Sequence, residues 1–256
     1  MMIKKLKEGE KVPFTEHLEE LRSRLMLCLG MVFVLFFATW AVSDRLLAPF
    51  TSLLPGGKLV FISPTEAFFV HMKIAFYAAG ILGLPFFLYH AWAFLAPGLL
   101  KKEKKYLSGF IFFSTLFFTA GALFCFNMIL PYGLAFLLGF GGETLLPMLS
   151  ISAVIGFCLN LMVVFGIVFQ LPIVVIFLNM ADLVTVEQLA GFRPYLVVTA
   201  FVISAVITPP DVFTQVVLAI PIVILYEASI LILKTTAKKG KKDVNAVTPI
   251  DQIEER

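Results

Sequence analysis

The stretch FTEHLEELRSRLMLCLGMVFVLFFATWAVS, from Phe14 to Ser43, is a polar helix that runs straight into an apolar one. At 3.6 residues per turn Phe14, Leu18, Leu21 and Leu25 share one stripe, while His17, Glu20 and Arg24 share another. That is the pattern of an amphipathic helix lying at a membrane surface. Glu20 and Arg24 stand at the spacing of a helical ion pair worth roughly 0.2–0.5 kcal/mol. The run that follows, between Arg24 and Asp44, stays uncharged over roughly 20 residues, enough to cross a bilayer. It starts after basic residues, as a signal peptide does. It exceeds an h-region, however, and no small-residue cleavage site ends it, so it reads as a permanent anchor.

Composition extends this reading to the whole chain. With 60% hydrophobic and 14% charged residues and a mean hydropathy of +0.96, the sequence is far more apolar than a soluble domain. It reads as an all-α polytopic membrane protein. Cys28, Cys125 and Cys158 are odd in number and sit inside apolar runs without paired spacing, so they suggest core residues, neither disulfides nor a zinc site. The net charge of +3 is carried by the polar ends and bears on topology, with no pattern for nucleic acid.

Six spans are expected, at about 25–43, 70–95, 106–130, 151–180, 194–208 and 212–232, making a membrane domain over 1–233. Between the first two, Pro49, Pro55, Gly56 and Gly57 give the segment from Asp44 to Lys73 the turn chemistry of a large outside loop. Ser63, Pro64 and Glu66 then provide a helix start: N-cap, first-turn proline and an acid three residues after the cap. Pro85 is expected to bend the second span, and Pro131 to end the third. Thr185 and Gln188 offer a second capping pair, on a short surface helix. Charges at Arg193, Asp211 and Glu227 leave short apolar intervals, so spans 5 and 6 are expected to be short. The charged tail, 234–256, reads as disordered.

Orientation follows from the basic residues. With both termini inside, 17 of the 20 lysines and arginines fall on one face, and only Arg45, Lys58 and Lys73 fall on the other. The positive-inside rule therefore favours six spans with cytoplasmic ends. No internal repeat is evident, which weighs against a transporter built from inverted halves.

No nucleophile motif, phosphate loop or metal-ligand spacing occurs, and no cofactor is expected. His71 and His90 read as packing residues of span 2, and Asn127, Asn160 and Asn179 as helix-to-helix hydrogen bonders. Gln170, beside Pro172 deep in span 4, reads either as packing or as an intramembrane partner contact. On residues alone, a secondary solute transporter with Gln170, Asn160 and His90 lining a polar path is the alternative function. An intramembrane enzyme would need a pair of catalytic groups that is not evident, so the chain is not read as an enzyme.

Three segments carry more than packing. HLEELRSR (His17 to Arg24), YHAWAFLAPGLLKKEKK (Tyr89 to Lys105) and RPYLVVTAFVISAVITPPDVFTQ (Arg193 to Gln215) jointly resemble the signatures of the TatC family, the multi-span receptor of the twin-arginine protein translocase. The resemblance spans nearly the whole chain. It implies that folded cargo proteins dock by signal peptides bearing two consecutive arginines. Single-span TatA and TatB type subunits would then assemble with the receptor in an oligomeric complex, for export driven by the proton gradient. It places the chain in the cytoplasmic (inner) membrane of a prokaryote, in contact with lipid.

Residue by residue, the resemblance implies that Glu20 and Glu103 are anionic acceptors for paired guanidinium groups, with His17 and Arg22 shaping the acid site. Pro49 and Asp211 match far-side positions implied in assembly or translocation, although Thr208 and Asp211 also suit a helix cap. Gln170 departs from the glutamate common in the family, which favours a role for a polar hydrogen-bonding group there over a titratable one.

Overall fold

The computed structural model describes residues 14–54, 59–95, 107–139, 148–207 and 212–245. Its α-helices, in order, are α1 Phe14–Trp40, α2 Ser43–Thr51, α3 Pro64–Leu95, α4 Leu107–Phe124, α5 Leu130–Gly139, α6 Ile151–Val168, α7 Leu171–Met180, α8 Val186–Gly191, α9 Arg193–Ile207 and α10 Val212–Asn245. Five stretches are long and apolar enough to cross a membrane: Thr15–Trp40, Pro64–Phe94, Ser108–Gly139, Ile151–Met180 and Gln215–Thr235. The expected all-α membrane fold is what forms. Of the two spans expected to be short, the sixth is not, since Gln215–Thr235 runs 21 residues within α10. The Arg193–Glu227 pair lets the apolar helix continue past Glu227. The fifth, α9, has 15 residues, a length of about 22 Å at 1.5 Å per residue. That is short of the roughly 30 Å hydrocarbon core.

The chain divides into two compact units, one built from the residues up to Pro49 and from Phe61 to Thr115, the other from Phe50–Val60 and the residues from Leu116 onward. In the first, α1 lies along α3. Small residues allow the approach: Ala75 and Ala79 are fully buried, and Gly83 faces Leu35. The Thr39 hydroxyl reaches the Ala75 carbonyl at 2.7 Å, so a side-chain donor on one helix meets a backbone acceptor on the other. Trp92 stacks on Phe110 of α4 with ring centroids 5.0 Å apart. The start of α3 is as its sequence dictates. Pro64 opens the helix, and the Glu66 carboxylate accepts from the backbone N–H of Ile62 at 2.6 Å and of Ser63 at 3.4 Å.

The segment expected to be loop after Asp44 is a helix instead: Ser43–Thr51 forms α2 with Pro49 inside it. In the second unit, Phe50 and Leu54 at and beyond the end of α2 are buried, and Phe50 meets the Phe126 ring edge-on at 5.5 Å. Burial of these two apolar side chains explains why Pro49 does not break the helix, while Pro55, Gly56 and Gly57 lie outside the described residues. Beyond them Val60 bridges the start of α6, donating to the Leu149 carbonyl at 3.0 Å and accepting from Ile151 at 2.9 Å.

Pro131 does not end the third span. Cys125–Ile129 forms a π turn, and the chain continues as α5 to Gly139. Proline lacks an N–H and its ring crowds the carbonyl four residues back, so widening the turn ahead of it keeps the helix continuous. Asn127, expected to bond between helices, instead donates to Leu123 of its own helix at 2.8 Å. Span 4 takes the other solution. α6 closes at Phe169 and Gln170, and α7 restarts with Pro172 in its first turn, where a missing N–H costs nothing.

α7 ends in a Schellman turn. Asp182 adopts φ 52° and donates to Asn179 at 3.1 Å, while Leu183 donates to Leu178 at 3.0 Å. Thr185 and Gln188 form the full capping box that starts α8. Val175, Leu189, Tyr226, Ile230 and Leu233 make a buried cluster joining α7, α8 and α10, and the Tyr226 hydroxyl donates to the Leu189 carbonyl at 2.8 Å. Ala200, Ser204 and Ala219 are essentially inaccessible, so the short α9 lies against α10 through small residues. The charged tail from Lys234, expected to be disordered, is helical through Asn245. Extending an existing helix requires no new nucleus, and Lys and Ala propagate it well.

α4 and α6 approach through two glycines. A Cβ on Gly121 would stand 2.6 Å from the Phe165 carbonyl oxygen, and one on Gly166 would stand 2.6 Å from the Phe118 ring. Gly121→Ala is therefore expected to cost about 1–3 kcal/mol. In detergent its melting temperature should fall by on the order of 5 °C. Gly30→Ala, with nothing within 4 Å of the added carbon, should leave the melting temperature unchanged or slightly raised.

Candidate functional site

The polar stripe of α1 lies beside the last turns of α3 within the first unit. Arg24 is the centre of the contact. Its Nε donates to Glu20 Oε1 at 3.0 Å, Nη2 donates to the same oxygen, and Nη1 donates to the His90 carbonyl of α3 at 3.2 Å. One guanidinium therefore ties a carboxylate on its own helix to a backbone acceptor on its neighbour. The His90 carbonyl sits near the C-terminal end of α3, where helix carbonyls favour a cation.

Glu20 Oε2 is engaged differently. It stands 3.7 Å from His17 Nδ1, beyond hydrogen-bond length. His17 itself is laid flat on Phe94 of α3, with ring centroids 4.1 Å apart and planes 7° from parallel. Glu20 is 31% exposed, His17 38% and Arg24 21%, so the cluster is open to an incoming group. Electrostatically it is an acid with one oxygen satisfied by a fixed cation and the other aimed at an imidazole.

Of the residues singled out from the sequence, His17 and Glu20 come together here. Arg22, about 200° around the helix from Glu20, is exposed and stays out of the cluster. Glu103 and Asp211 lie outside the described residues. Pro49 is exposed on α2. Gln170 occupies the break between α6 and α7, its N–H donating to the Ile167 carbonyl and its carbonyl accepting from Val174. His71 hydrogen bonds Ser43 Oγ at 3.1 Å and stands 3.7 Å from Asp44, whereas His90 packs by its ring on Phe86 at 4.4 Å. Asn179 donates to Val184 in the turn after α7, where a bond between spans was expected.

Two features escaped sequence reasoning. The i,i+4 relation of Glu20 and Arg24 was visible, but the anchor of Arg24 on His90, 66 positions away, was not. Glu227, read only as a limit to span 6, forms a two-pronged pair with Arg193, Nε to Oε1 at 2.6 Å and Nη2 to Oε2 at 2.7 Å, which lets α10 pass through a charged position.

Comparison with known proteins decides the family. The sequence profile described as Sec-independent protein translocase protein (TatC) matches residues 16–221. The chain belongs to the TatC family. Among relatives, the Sec-independent protein translocase protein TatC of Aquifex aeolicus is 42% identical over 90% of this chain and 98% of its own. That of Desulforapulum autotrophicum is 39% identical over 93% and 90%. A crystal structure of the twin-arginine translocase receptor TatC in DDM superposes with a TM-score of 0.76, at 40% identity, covering 84% of this chain and 98% of that one. A second TatC crystal structure gives 0.74 at 41% identity, covering 86% and 99%. The TatC family match thus takes in both the α1 cluster and the α6 to α7 break, and it sets aside a solute carrier as the function.

The stacking of His17 on Phe94 has a measurable weight. Phe94→Leu keeps the apolar contact and removes the ring face, an expected loss of about 1 kcal/mol. Amide hydrogen exchange over residues 15–19 should then accelerate roughly fivefold, with the exchange of α6 unchanged.

Proposed function

We propose that this chain is the core receptor subunit of a twin-arginine translocase, multi-pass in the cytoplasmic membrane of a prokaryote with both termini in the cytoplasm. It binds the twin-arginine region of signal peptides on folded cargo and assembles with single-span TatA and TatB type subunits for export driven by the proton gradient. Family membership supports the class, and the bias of 17 among 20 basic residues to one face supports the orientation. The observation that carries the reading is the Glu20 carboxylate, held partly exposed between His17 and Arg24 on the polar stripe of α1, with Oε2 not hydrogen-bonded among the described residues.

The mechanism is recognition without bond chemistry. A guanidinium presents two parallel N–H donors that match the two oxygens of a carboxylate, while a lysine ammonium meets them as a point charge. Glu20 and Glu103 serve as the acceptors, and His17 and Arg22 shape the approach. Phe94 fixes the His17 ring and through it the side of Glu20 that a guest meets. The apolar part of the signal lies along the membrane-embedded surface. Pro49 and Asp211 act on the opposite side in assembly or translocation.

Binding of a fluorescent synthetic signal peptide to the purified protein tests the site. An Arg-Arg peptide should bind at least tenfold more tightly than its Lys-Lys counterpart, and Glu20→Gln or Glu103→Gln should abolish that preference. Equal binding of the two peptides, unaffected by either substitution, would remove both acids from the site.

Gln170 is a contact point for the single-span subunits that works by hydrogen bonding. Export of a reporter cargo, in cells whose receptor is this chain, should persist in Gln170→Glu and fall severalfold in Gln170→Leu. Loss of export in both variants would mean that the amide itself is required.

A further inference from the structure

Glu20 is not an empty acceptor. Two guanidinium nitrogens of Arg24 converge on Oε1, while among the described residues Oε2 has only the 3.7 Å approach of His17. A guest arginine can close a two-pronged contact only with both oxygens of the carboxylate, and one of them is taken. We propose that Arg24 is an internal competitor that a signal-peptide arginine displaces before it can fork onto Glu20, so that Arg24 is a specificity-determining residue. The inference rests on the acceptor role of Glu20 proposed above.

The geometry makes the exchange feasible. Nη1 of Arg24 is bonded to the His90 carbonyl at 3.2 Å, so the guanidinium can leave Oε1 without being left unpaired. The exchange is one guanidinium for another on the same carboxylate, and net charge at the site rises by the charge of the guest alone. A lysine ammonium needs a single oxygen and can use Oε2 with Arg24 in place, gaining nothing by displacing it. Displacement therefore rewards arginine only, and Arg24 sets how tightly the signal is held and how readily it is released.

The test uses the full-length protein in detergent and fluorescent synthetic signal peptides bearing Arg-Arg or Lys-Lys. Arg24→Lys keeps the charge and loses the two-nitrogen hold on Oε1. It should tighten Arg-Arg binding by roughly fivefold, the scale of a partly exposed ion pair. Lys-Lys binding should stay within about twofold, because Oε2 is unaffected. Arg24→Gln, which removes the competitor altogether, should tighten Arg-Arg binding at least as much. In a Glu20→Gln background the gain from Arg24→Lys should vanish, since the charged two-oxygen acceptor over which the guanidiniums compete is gone. Melting temperatures measured alongside report whether each variant is folded.

If Arg24→Lys and Arg24→Gln are folded but weaken Arg-Arg binding or leave it unchanged, while Glu20→Gln weakens it, Arg24 merely holds Glu20 in place. The competitor role is then overturned and the acceptor role survives. If Glu20→Gln leaves Arg-Arg binding intact, the acceptor role falls and the competitor role falls with it.

Discussion

A backbone crossing hydrocarbon has to satisfy its own N–H and C=O groups, because no solvent is present to do so. Prolines at 85, 131, 172 and 221 lie within apolar stretches of this chain and each removes a donor. The fold answers in different ways. Before Pro131 the helix widens by one π turn and continues. Before Pro172 it stops for two residues and restarts, with the proline placed where a donor is not needed. Pro85 and Pro221 are accommodated inside unbroken helices. Helix lengths and the position of Gln170 all follow from which answer is used where.

Side-chain donors and acceptors obey the same constraint. Thr39 meets a carbonyl of α3, Gln215 donates to the Phe201 carbonyl of α9 at 2.9 Å, and Tyr226 donates to that of Leu189. Two charged pairs are held this way, Arg24 with Glu20 and Arg193 with Glu227. The two pairs differ in geometry. Arg193 and Glu227 satisfy each other with parallel bonds, whereas Arg24 divides its donors between a carboxylate and a backbone carbonyl. The second arrangement leaves Glu20 Oε2 without a hydrogen bond among the described residues.

Local chemistry was legible in the sequence wherever neighbours along the chain decide it. Ser63, Pro64 and Glu66 announced the start of α3, and Thr185 with Gln188 announced α8. Both are settled within one turn of helix. Pro131 misled because a proline in an apolar run is equally a terminator or a bulge, and only the packing of Cys125 and Ile129 decides between them. α2 was missed because its helix-breaking residue outweighs its short apolar stripe until Phe50 and Leu54 are buried. At the site, Glu20 and His17 were legible as one stripe, but the Phe94 ring and the His90 carbonyl come from α3. No periodicity in α1 encodes them.

The π turn between α4 and α5 is in effect a single residue inserted into a helix that remains continuous. Residues after it are rotated by about 100° relative to an uninterrupted helix. Which side chains of α5 point inward, with Leu130 and Leu134 buried and Tyr132 exposed, is therefore set by Cys125–Ile129 and not by the sequence of α5. A chain shortened by one residue in this turn would keep every α5 side chain and present the wrong ones, as a reading frame does when a letter is lost.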